Sequence, residues 1–102
     1  MKRDYIPHSL KHAIRDRDHS TCCYCNKYVP KKHRSYDHVI PHSHGGTDTP
    51  DNLVLTCISC NSQKRDKTLP EYCEYLVLAG KLSYASSVNV LKRVERRLTT
   101  QI

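Results

Sequence analysis

Two Cys-x-x-Cys pairs, Cys22 with Cys25 and Cys57 with Cys60, constrain this chain more than any other feature. A tight turn of that spacing presents two sulfurs to a tetrahedral Zn2+, so two such turns read as one four-thiolate zinc site. The 31 residues between the pairs exceed the usual ribbon spacing, which makes the intervening segment an insertion whose ends the metal clamps together. A chain of 102 residues is one domain with a thin core, the kind that needs a staple. With no Phe or Trp, its apolar bulk must come from seven tyrosines and the aliphatic residues. The six cysteines would suit a disulfide-stapled secreted toxin, but Met1-Lys2-Arg3-Asp4-Tyr5 is followed by no apolar run long enough for a signal peptide or a membrane span. A cytoplasmic, reducing setting with thiolate ligands is therefore expected.

The clamped segment carries the chemistry. Tyr36-Asp37-His38-Val39-Ile40-Pro41 sets a carboxylate beside an imidazole, a hard-metal ligand next to a proton acceptor. Residues 36 to 40 and 52 to 56 are short strand candidates, joined by a long loop in which Gly45-Gly46 can take positive φ and Asp48, Thr49 and Pro50 favour turns. The result is a β-hairpin. A helix over residues 60 to 67 should follow, placing Asn61, Lys64 and Arg65 on one face at i, i+3 and i+4.

Around this core the chain reads as helices. Ser9 can cap an entry helix that buries Leu10, Ala13 and Ile14. Thr68 and Glu71 have capping-box spacing, and the helix they start should stop at Gly80. From Ser83, a stripe of Tyr84, Val88, Leu91, Val94 and Leu98 predicts a last amphipathic helix with Lys92, Arg93, Arg96 and Arg97 opposite. Cys73 falls on the middle helix as a core residue, and Cys23 is expected to be free beside the better-spaced Cys22. With no repeat or linker, residues 1 to 102 form a single domain: a core over 20 to 68 and a helical extension over 69 to 102.

A formal net charge of +7 makes a polyanion the first candidate partner, although Lys and Arg could equally solvate the faces. His8, His12, His19 and His33 carry no spacing signal.

Asp37, His38, Asn52 and Asn61, in that order and flanked by cysteine pairs, resemble the HNH endonucleases. The likeness extends over residues 20 to 68 and includes Gly45-Gly46, Asp51-Asn52-Leu53 and Cys57-x-x-Cys60-Asn61-x-x-Lys64. It implies a small α+β fold: a zinc-stapled ββα-metal, treble-clef-like core with an N-terminal helix and two C-terminal helices. It also implies a metal-dependent nuclease that hydrolyses DNA by a single-metal mechanism, nicking or cutting with weak sequence preference. Under that resemblance His38 is the general base, Asn52 steadies the loop, and Asp37 and Asn61 hold the catalytic cation. Cys22, Cys25, Cys57 and Cys60 hold the structural Zn2+. Two oxygen donors suit Mg2+ or Mn2+, which keep much of their water shell, better than Zn2+ or Ni2+. Asn61 departs from the family's name pattern, where many members have His. Lys64, Arg65, Lys67 and Arg34 are the expected phosphate contacts, together with His44; His42 is a further residue able to line the site. The resemblance fits a stand-alone phage or bacterial protein. A second copy or a phage packaging partner is compatible with it, but no residue argues for either. The rival reading is a zinc-stabilised DNA-binding module without hydrolytic activity.

Overall fold

A two-stranded sheet is only marginally stable alone, so this fold depends on what covers its hairpin. The computed structural model describes residues 6–102. Met1-Lys2-Arg3-Asp4-Tyr5, the start of the segment expected to carry no signal peptide, lies outside that range. Helix α1 (His8–Arg17) precedes strands β1 (Arg34–His38) and β2 (Leu53–Cys57), and helices α2 (Ile58–Lys64), α3 (Leu69–Leu78) and α4 (Tyr84–Thr99) complete the chain. The strands pair antiparallel, with Tyr36 opposite Leu55, Asp37 opposite Val54 and His38 opposite Leu53.

Side chains alternate across a strand, and both faces of β2 are covered. Leu53 and Leu55 enter one core cluster with Ile6 and Ile14, against which Leu10 of α1 and Tyr36 pack. Val54 enters the other, with Cys22, Cys23 and Tyr24 of the knuckle formed by the first cysteine pair, Tyr72 and Leu76 of α3, and Val90 and Val94 of α4. Tyr24 and Tyr72 meet edge-on at 5.1 Å inside that cluster, supplying the aromatic bulk that Phe or Trp would otherwise give.

Several boundaries depart from the sequence expectation for identifiable reasons. The cap of α1 is Pro7, whose fixed φ of −57° is already compatible with the first turn, and Ser9 lies inside the helix. Strand β1 runs 34–38 rather than 36–40, because at Ile40 the side chain of Asn52 accepts the backbone N–H in place of a partner strand. Pro50–Asn52 forms a 3-10 turn, which moves β2 to 53–57. Helix α2 starts earlier and ends earlier than expected: the Cys57 sulfur caps it by accepting from Cys60 N, and Arg65 breaks it at φ 55°. Thr68 and Glu71 do form a capping box on α3. Ser83 caps α4, whose buried face is Ser87, Val90 and Val94, rotated from the expected stripe so that Tyr84 and Leu91 stay exposed. Among the described residues no helix is long and apolar enough to cross a membrane.

Candidate metal centre and catalytic site

The sulfurs of Cys22, Cys25, Cys57 and Cys60 all lie within 4.8 Å of one another, and those of Cys25 and Cys57 are 4.0 Å apart. A tetrahedral zinc with bonds of about 2.3 Å needs sulfurs separated by about 3.8 Å, so the four residues fit it. Backbone N–H groups of Cys25 and Cys60 donate to the first sulfur of each pair, at 3.5 and 3.4 Å. The Cys60 thiol's hydrogen bond lowers the Cys22 thiol to about 4 despite its burial, and Cys60 is raised in return. Cys23 lies outside this cluster, and burial pushes its thiol up to about 12, leaving a neutral core side chain. Cys73 is likewise buried in the core.

The knuckle reaches the site through the residue between its cysteines. Tyr24, 4 % exposed, donates its hydroxyl to Asp37 Oδ2 at 2.5 Å. Lys64 Nζ sits 3.1 Å from the same oxygen and donates to the carbonyl of His38 at 3.1 Å. Burial raises the Asp37 carboxyl, while Lys64 and then Tyr24 oppose it. Asp37 Oδ1 is the oxygen that neither neighbour takes. Two residues back on the same strand face, Ser35 Oγ accepts from the side-chain amide of Asn61. Asn61 and Lys64, one helical turn apart on α2, therefore meet Ser35 and Asp37, one strand repeat apart on β1, in two parallel contacts. This brings Asp37 and Asn61 to one interface.

Lys64 is the main departure from expectation. Expected on an exposed face with Asn61 and Arg65, it is fully buried, because its amine is the only cation placed to meet the buried Asp37 carboxylate among the described residues. Arg65 lies past the helix end and is exposed. Lys67 is half-buried over the Tyr75 ring at 5.0 Å, and Arg34 donates to the Val29 carbonyl at 3.1 Å. His44 is exposed on the loop's 3-10 turn.

His38 belongs to the other strand face, paired with Leu53, and its ring is held from the loop. Its Nε2 lies 2.6 Å from Asp48 Oδ1, and His42 Nε2 lies 2.8 Å from the same oxygen. The two imidazoles meet edge-on at 4.5 Å. Hydrogen bonds from His38 and His42 hold the Asp48 carboxyl below its ordinary range. His38, His42 and Asp48 thus form a second group able to surround a cation. Asp48 reads in the sequence only as a turn former; its position two residues after Gly45-Gly46 and ten after His38 is the signal that sets it apart.

Asn52 closes this loop. Its side-chain oxygen accepts from Ile40 N at 2.8 Å, and its amide donates to the carbonyls of Ile40 and Thr47 at 3.0 and 2.9 Å. Gly46 packs so closely here that a Cβ would lie 1.6 Å from the Ile40 oxygen, while Gly45 takes φ +89° at the turn.

Comparison with known proteins agrees with this architecture. The family model described as HNH endonuclease matches residues 22–75. A CRISPR-associated endonuclease Cas9 from Corynebacterium diphtheriae is 28 % identical over 81 residues, 78 % of this chain and 7 % of that protein. The crystal structure of the Type II-C Cas9 enzyme from Actinomyces naeslundii superposes with a TM-score of 0.63 at 19 % identity, covering 99 % of this chain and 12 % of that one. The chain thus spans only a small part of the relatives it matches. The matched segment contains all four zinc cysteines and the Asp37–Lys64 and Asn61–Ser35 contacts, and on that match the chain belongs to the HNH endonuclease family.

Proposed function

We propose that this chain is a metal-dependent DNA endonuclease in which Asp37 and Asn61 hold one Mg2+ or Mn2+ and His38 is the general base. The observation that carries the reading is the two-contact interface between β1 and α2. It anchors Asp37 through one carboxylate oxygen and Asn61 through its amide nitrogen, leaving one oxygen on each side chain for a cation. A divalent ion held there supplies Lewis-acid polarisation of the phosphate and stabilisation of the departing 3′ oxygen.

The protein's own groups do the rest. Asp48 lies 2.6 Å from His38 Nε2 and holds the imidazole in a fixed orientation, as a general base that activates the attacking water requires. Asn52 and Gly46 keep the loop carrying Asp48 and His42 closed against the strand end. Lys64 neutralises Asp37 from within, so that its carboxylate persists in a buried setting. Arg65, Lys67, Arg34 and His44 remain the candidates for the flanking phosphates, and with no base-reading element among them sequence preference is weak. The products are 5′-phosphate and 3′-hydroxyl ends.

Occupancy of the His38, His42 and Asp48 group by a cation would consume the base. Two nitrogens and one oxygen favour Zn2+ or Ni2+, so these ions act against the reaction rather than for it.

The test is nicking of supercoiled plasmid by zinc-loaded protein with Mg2+ or Mn2+, compared with His38→Ala. Nicking by the wild type that is lost in the variant, with DNA binding retained, supports the enzyme. Wild-type protein that binds but never nicks would instead make this a zinc-stabilised binding module.

A further inference from the structure

Between the end of α1, the following turn and one side of α4 lies a cleft of about 640 Å³ whose lining, among the described residues, contains no apolar side chain. We propose that this cleft is a second phosphate-binding groove, which holds the backbone of a nucleic acid independently of the cleavage site. Lys92, Arg93, Arg96 and Arg97 lie along it on one helical stripe, and with Arg17 they set five cations against a single carboxylate, Asp18, among the described residues.

That carboxylate is fully engaged. Asp18 Oδ2 accepts from Leu55 N at 2.9 Å and from Arg17 Nη2 at 3.2 Å, and Arg17 also donates to the carbonyls of Pro50 and Leu53. Arg93 donates to the Cys23 carbonyl at 2.6 Å, so both residues brace the floor. Arg97 differs. Its Nη1 is buried, stands 3.7 Å from Asp18 Oδ2, and has no hydrogen-bond partner among the described residues. Its side chain is still 11 % exposed where it lines the cleft, and a phosphate oxygen is the acceptor a guanidinium fork fits best. Lys92 and Arg96 at the rim are exposed and add charge without being needed for packing.

Shape favours a polymer over a single ion. The lining stripe runs from Asn89 to Thr100, about 16 Å at about 1.5 Å per residue, which matches several successive phosphates of one strand. A wholly polar wall also argues against a small apolar ligand.

The groove rests on the reading that DNA is the substrate, yet the two can fail separately. The experiment measures binding of a labelled duplex to the full zinc-loaded chain without divalent cation, across a salt series. Lys92→Gln with Arg96→Gln should weaken binding on the order of tenfold and reduce the salt slope by about 2, because each lost phosphate contact removes about 0.9 from it. Arg97→Gln should weaken binding as well, with zinc content and circular dichroism checking the fold. A charge-matched pair outside the groove, Lys11→Gln with Lys81→Gln, should change the slope much less. Unchanged affinity and slope in the groove pair, or a loss no larger than in the control pair, overturns the proposal. Protein that binds through the groove but never nicks refutes the nuclease alone; protein that nicks while the groove pair binds normally refutes the groove alone.

Discussion

Replacing Lys64 with Met tests the buried interface more sharply than any other single change. The side chain is 0 % exposed and Asp37 is 5 % exposed, with the ion pair at 3.1 Å, so neither charge has water to fall back on. Removing one partner of such a pair costs about 3–5 kcal/mol, because the other charge is left buried. A domain of this size holds only about 5–15 kcal/mol in total, so the loss is a large fraction of it. The pH dependence gives the mechanism away. Burial already raises the Asp37 carboxyl, and Lys64 is the largest opposing influence. Without Lys64 the carboxyl rises further, and a raised acid favours the folded state below its unfolded value and loses that contribution as pH climbs through the folded one. The gap between variant and wild type should therefore be widest in mild alkali and shrink in mild acid. Urea denaturation of zinc-loaded protein at both pH values measures it, and adding Asp37→Asn to the variant should recover much of the loss. A change below about 1 kcal/mol that is flat with pH would refute the reasoning.

The remaining predictions concern the supports of the site. Tyr24→Phe removes the hydroxyl that ties the knuckle to Asp37 and should cost about 1.5–3 kcal/mol in a thermal or urea melt, with zinc still bound. Asp48→Asn should slow nicking while leaving duplex binding intact. Because the Asp48 carboxyl is held low, its contribution is present above the ordinary carboxylate range and lost as pH falls through the lowered value, so the wild type should converge on the variant in acid. Gly46→Ala should abolish nicking without loss of zinc, since its Cβ would collide with the Ile40 backbone and push the loop open. Thr56→Val should stabilise the fold by up to about 1 kcal/mol, because the buried Thr56 hydroxyl has no partner among the described residues.

The zinc pairs, the hairpin between them and the capped helices α3 and α4 were legible in the sequence because each rests on a local rule: cysteine spacing, turn residues, a capping box. What was not legible depends on tertiary placement. Nothing local says that Lys64 turns inward, because its burial follows from where the Asp37 carboxylate lies across the β1–α2 interface. The buried face of α4 departs from the expected stripe for a related reason. Leu91 has the larger side chain, but the face that reaches the knuckle is that of Ser87, Val90 and Val94. Asp48 has the local signature of a turn residue, and only the closed loop sets it against His38 and His42.

The most direct test of the account is to locate a divalent cation in the protein. Anomalous diffraction from crystals soaked in Mn2+ should show the ion between Asp37 Oδ1 and the side-chain oxygen of Asn61. Density among His38, His42 and Asp48 instead would contradict the assignment, because it would place the metal on the residue required as the base.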